Sequence, residues 1–159
     1  MRSVKIAVVI AAVIVAGGCG SHAVSPAGGA SPSAATTTSC RQQYESWKHG
    51  TARTQIAALK SALRAVEAQG NADDFPGLSA SLEKAGKAAS AMEVVPPPKC
   101  SDPKGLYAAV MARVKASGDN ARSASGLTGL LLAEAPLKGL PAIEKKLSRE
   151  LNRTVGKNR

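Results

Sequence analysis

Cys19, Cys40 and Cys100 carry the most distinctive chemistry in this 159-residue chain. A thiol can pair, ligate a metal or accept an acyl group, and spacing and surroundings decide which. No two cysteines stand at the C-x-x-C spacing of redox or zinc sites, and only His22 and His49 could join them as ligands. Neither a metal nor a cofactor is therefore expected. Asp73 and Asp74 adjoin and could be drawn as a catalytic pair, but acids at the start of a helix read more simply as complements of its dipole. His49, beside Trp47 and Lys48, could line a small site; a solvated helix histidine is the simpler reading. No nucleophile elbow, H-E-x-x-H, phosphate-binding loop or dinucleotide-binding glycine set occurs. An enzyme is not the expectation.

Composition points to the elements that carry these residues. The chain is 44% hydrophobic with only 3% aromatics, and 30 of its residues are alanine. Alanine favours helix, whereas sheets prefer β-branched and aromatic side chains. The spacing predicts an all-α bundle of four to five helices over residues 40–159. Ser39 and Gln42 fit a capping box. Tyr44, Trp47, Ile56, Leu59, Leu63 and Val66 then recur at helical spacing up to Gly70-Asn71, with a break at Gly50 left open. A second helix carries Leu78, Leu82, Ala85, Ala89 and Met92, with Asp73 and Asp74 at its start. Val94 to Asp102, including Pro96-Pro97-Pro98, reads as a loop rather than a recognition peptide. Asp102-Pro103 is expected to cap the third helix, with Pro103 in its first turn. That helix carries Leu106, Tyr107, Val110, Met111 and Val114, and either stops at Gly118-Asp119-Asn120 or runs on to about Ser125. Leu127 to Leu132 is expected to form a short core helix ending before Pro136; an exposed partner-binding ridge is the alternative. Leu140, Ile143, Leu147, Leu151 and Val155 mark the last helix.

Ahead of this domain, Arg2 and Lys5 precede an eleven-residue apolar run, Ile6 to Ala16. A membrane-spanning helix needs about 20 such residues, so the run reads as a secretory signal instead. Ala16-Gly17-Gly18-Cys19 resembles the lipobox of bacterial lipoproteins, although the commonest version has leucine where Ala16 stands. The resemblance implies cleavage after residue 18 and a diacylglyceryl group on the Cys19 thiol. It also implies attachment to the outer face of a bacterial cytoplasmic membrane. Two acyl chains suffice for stable anchoring where one does not. The overall composition is similar to that of small lipoproteins of high-GC Gram-positive bacteria. Residues 20–39, rich in Gly, Ser, Pro, Ala and Thr, are expected to form a disordered spacer of roughly 25 Å r.m.s. span. Its Ser and Thr residues would also permit glycosylation.

Assigning Cys19 to lipid leaves Cys40 and Cys100 as an even pair outside the cytoplasm. In an antiparallel bundle the first and third helices start at the same end, so a disulfide between them is expected. Charge adds one further feature. Without Arg2 and Lys5 the chain keeps 19 basic residues against 11 acidic ones. The excess is densest near the end, where Lys138, Lys145, Lys146, Arg149, Arg153, Lys157 and Arg159 face only Glu144 and Glu150. Helical spacing places Lys145, Lys146, Arg149 and Arg153 away from the leucine stripe, as candidates for an anionic surface: lipid headgroups or wall polymers. Nucleic acid is not expected, because no aromatic stacking platform accompanies the cations. The reading is a lipid-anchored, extracytoplasmic binding protein. An accessory subunit of a membrane or envelope complex, and an enzyme with an unfamiliar site, remain as alternatives. The first would expose an apolar patch; the second would hold perturbed titratable groups in a concave pocket. Replacing Cys19 by Ala should abolish metabolic labelling with fatty acid; persistent labelling would contradict the lipobox assignment.

Overall fold

The computed structural model describes residues 39–156. The signal segment, Cys19 and the spacer up to Thr38 lie outside them, as do Lys157 and Arg159. The five predicted helices are present, the first in two pieces: α1 (Cys40–His49), α2 (Arg53–Asn71), α3 (Phe75–Glu93), α4 (Leu106–Ser123), α5 (Gly126–Glu134) and α6 (Leu140–Thr154). A 3₁₀ turn, Ala135–Gly139, joins the last two. Among the described residues there is no strand.

Local chemistry sets most boundaries as expected. Ser39 Oγ accepts from the Gln42 N–H at 3.2 Å while Gln42 Oε1 accepts from the Ser39 N–H at 3.0 Å, closing the capping box. Gly50 ends α1, and the chain turns through fully buried Ala52 into α2. Asp74 caps α3 by accepting from the Gly77 N–H. The start of α4 corrects the expectation at Asp102. Its carboxylate accepts from the N–H groups of Leu106 and Tyr107, both at 2.8 Å, across an intervening turn. The helix therefore begins at Leu106, and Pro103 lies before it rather than in its first turn. Gly105, at φ 64°, takes the left-handed conformation that makes this reach feasible.

The core is leucine, valine, methionine and alanine, closed at one end by Tyr44, Trp47 and Tyr107. The tightest contact joins α3 and α4. A Cβ on Gly118 would lie 2.6 Å from Gly86 Cα and 2.8 Å from the Leu82 carbonyl oxygen. Gly118 thus does not stop the helix; it lets two backbones touch, and α4 continues to Ser123.

Cys40 and Cys100 form a disulfide with Cα atoms 5.7 Å apart, closing a 60-residue separation. On the chain-entropy account such a loop contributes about 4 kcal/mol at most. α5, the 3₁₀ turn and α6 then run as one bent arm antiparallel to α4. Ser117 Oγ donates to the Ala133 carbonyl at 2.6 Å. Arg113 Nη1 donates to the Pro136 carbonyl at 3.2 Å, and Thr154 Oγ1 donates to the Ser101 carbonyl at 3.3 Å. The far end of the arm is thereby docked beside the disulfide.

Gly118→Ala should destabilise the protein by about 1–3 kcal/mol, because the added methyl meets backbone that cannot rotate away. This outweighs the ~1 kcal/mol helix preference of alanine over glycine. Urea denaturation measures the balance, and a stabilised variant would contradict the close crossing.

Candidate functional site

Two regions hold the candidate chemistry: the disulfide end of the bundle and the outer side of the arm. At the disulfide end, Trp47 stacks edge-on against Tyr107, with ring centroids 5.8 Å apart, and lies 5.5 Å from Tyr44. The indole N–H donates to the Val95 carbonyl at 2.8 Å, which pins the proline loop. Tyr44, Trp47, Pro97, Asp102, Tyr107, Leu147 and Leu151 enclose a cavity of about 20 Å³. That volume suits a single water molecule rather than a metabolite. Burial pushes the Tyr44 phenol up to about 12 and raises Tyr107 still further, so both hydroxyls keep their protons at neutral pH. The Tyr107 hydroxyl is buried without a hydrogen-bond partner. The carboxylate of Asp102 is engaged in capping α4. Of the proline run, Pro97 forms part of the wall at this end of the core.

The remaining sequence candidates are scattered. His49 is exposed and sits 3.1 Å from Glu45. Asp73 and Asp74 lie exposed at the turn between α2 and α3, the latter as a cap. No group of three metal-ligating side chains forms among the described residues.

The arm is chemically two-sided. Lys145, Lys146, Arg149 and Arg153 are all exposed on α6, and Lys138 is exposed on the 3₁₀ turn. Arg153 bridges to Glu150, which also receives Lys104 Nζ at 3.4 Å. These charge-assisted bonds hold the Glu150 carboxyl below its usual value. Glu134, Glu144 and Glu150 are nonetheless buried, Glu150 beneath its two cationic partners, so no acid of the arm is exposed while its cations are. Glu144 is the extreme case: 4% exposed, with neither carboxyl oxygen hydrogen-bonded. Desolvation pushes it up to about 7 and raises Glu134 as well, against the pull of Lys138.

α5 corrects a second expectation. Leu130 is buried, but Leu127 (51% exposed), Leu131 (51%) and Leu132 (65%) project from the bundle. A helix with one neighbouring surface can bury only one stripe, and four leucines in six positions exceed it. The alternative of an exposed ridge therefore holds for these three side chains. The sequence reading missed the inward glutamates. Glu144 stands four residues after Leu140, on the apolar stripe, and that spacing was the available signal.

Comparison with protein-family models, curated proteins and solved structures finds no match to this chain. Among the described residues no helix is long and apolar enough to cross a membrane.

An unfolded glutamate releases its proton near 4.3, whereas folded Glu144 holds it to about 7. The folded state therefore binds more protons between these values, and stability falls as pH rises through that window. Glu144→Gln should flatten the fall and stabilise the protein at pH 8 by roughly 1–3 kcal/mol, relieving an unpartnered buried charge. Denaturation curves at pH 5 and pH 8 measure both effects; an unchanged slope would place the titration elsewhere.

Proposed function

We propose that this is a lipid-anchored, extracytoplasmic protein that acts by binding at the membrane surface, with the arm's outward cations engaging anionic headgroups. The observation that carries this reading is the charge segregation of the arm. Lys145, Lys146 and Arg149 are exposed and make no ion pair among the described residues, while none of the arm's three carboxyls is exposed. A cation near an anionic bilayer contributes about 1 kcal/mol, decaying over a Debye length of ~8 Å at physiological salt. Such binding is local and salt-sensitive, and it adds to an anchor at Cys19. Anionic wall polymers offer the same charge chemistry.

A second reading has its own observation. The exposed leucines of α5 supply the apolar patch that an accessory subunit of an envelope complex would need. Cross-linking in native membranes would test it by recovering one defined partner through α5.

The principal reading predicts that unacylated protein, residues 20–159, binds vesicles containing phosphatidylglycerol at low salt and releases them as salt rises. Lys145→Gln, Lys146→Gln and Arg149→Gln together should weaken binding at least tenfold without unfolding the domain. Arg153 is left intact because Glu150 depends on it. Equal affinity for neutral and anionic vesicles, or none for either, would overturn the reading, and release by a soluble anionic polymer alone would favour the wall.

A further inference from the structure

The exposed leucines and the exposed cations lie on successive elements of one arm. α5, the 3₁₀ turn and α6 descend α4 in a single register: Ala133 beside Ser117, Pro136 beside Arg113, Thr154 beside Ser101. Exposed leucines and cations recur along this arm. On α5 they are Leu127, Leu131 and Leu132. From the 3₁₀ turn onward they are Lys138, Lys145, Lys146, Arg149 and Arg153. No acid is exposed anywhere between Leu127 and Arg153, because Glu134, Glu144 and Glu150 are all buried. The exposed acids among the described residues lie off the arm: Asp73 and Asp74 at the α2–α3 turn, Glu93 at the end of α3 and Asp119 on α4.

We infer that the outer face of the α5–α6 arm is an interfacial docking site for an anionic lipid bilayer, in which Leu127, Leu131 and Leu132 enter the headgroup–acyl boundary while the α6 cations contact the headgroups. This rests on the proposed membrane location and adds an insertion site to it. Helices that lie on membranes join leucines to lysines and arginines in this way, and their affinity combines buried apolar area with attraction to anionic lipid. Charge chooses the bilayer over the competing occupants. A second copy of this cationic chain would bring like charges together along α6, and three leucines are far less than the roughly 800 Å² per partner of a stable interface. A bilayer supplies both an apolar phase and anions, and the 20 residues between Cys19 and Cys40 reach up to about 65 Å when extended. The domain can therefore lie on its side beside its anchor.

The test places an indole at the claimed depth: Leu132→Trp in the acylated protein, in vesicles of phosphatidylcholine with and without phosphatidylglycerol. Native Trp47 is buried and serves as background. Lipids brominated on the acyl chains should quench the new indole several-fold more strongly in anionic than in neutral vesicles. Leu127→Gln, Leu131→Gln and Leu132→Gln together should lower anionic-vesicle affinity of unacylated protein at least tenfold, with the helical spectrum unchanged because these side chains are outside the core. An indole that stays open to aqueous iodide while the lysine and arginine variants still weaken binding would overturn the insertion and leave the electrostatic reading standing. Equal quenching in neutral vesicles would overturn the joint face. Concentration-dependent burial of the indole without lipid would assign the face to self-association instead.

Discussion

At Gly86 and Gly118 the backbones of α3 and α4 touch, and the remaining architecture is arranged around that contact. Any side chain at either position would separate the helices, since the nearest atoms are main-chain Cα and carbonyl groups. The contact makes α4 the spine of the bundle. α3 is drawn against one side of it, and the arm of α5 and α6 covers another. Small residues suit this construction: an alanine-rich chain with few aromatics fills its core by bringing helices close rather than by interposing large side chains. The aromatic cluster at the disulfide end is the exception. There α1 and the proline loop close the core, and Tyr44, Trp47 and Tyr107 fill a space that alanine cannot.

From the packing of the arm on α4 follows the polarity of its outer face. Turning three glutamates inward carries an energetic cost, and the chain meets it in different ways. Glu150 is held ionised by Lys104 and Arg153 at the edge of the core. Glu144 has no partner, and desolvation favours its neutral form. A chain selected for solubility alone would place these carboxylates outside, where they are well hydrated and pair with the neighbouring lysines. Placed inside, they leave a surface of leucines and cations with nothing to repel an anionic partner.

Helix identity was legible in the sequence because it rests on local signals. The capping box at Ser39 and Gln42 and the periodic leucines of α6 act within a few residues, whereas the break at Gly50 stayed open until the structure showed it. The Cys40–Cys100 bridge was legible for a topological reason, since consecutive antiparallel helices return alternate starts to the same end. What escaped the sequence depends on neighbours distant along the chain. Gly118 resembles a helix stop until Gly86 is known to lie against it. Asp102 resembles an ordinary N-cap, yet its carboxylate reaches over a turn to α4. The four leucines of α5 resemble a core helix, and only the number of surfaces around that helix decides which of them are covered.

The central claim is that one side of the domain, and not its surface in general, meets the bilayer. Hydroxyl-radical footprinting of the acylated protein on anionic vesicles tests this in one measurement, because the structure supplies internal controls. Phe75 and Val94 are exposed apolar side chains at the two ends of α3, outside the arm's own sequence. Leu127, Leu131 and Leu132 should lose most of their reactivity on vesicles while Phe75 and Val94 keep theirs. Uniform reactivity across all five residues, or protection of Phe75 and Val94 instead, would contradict the account.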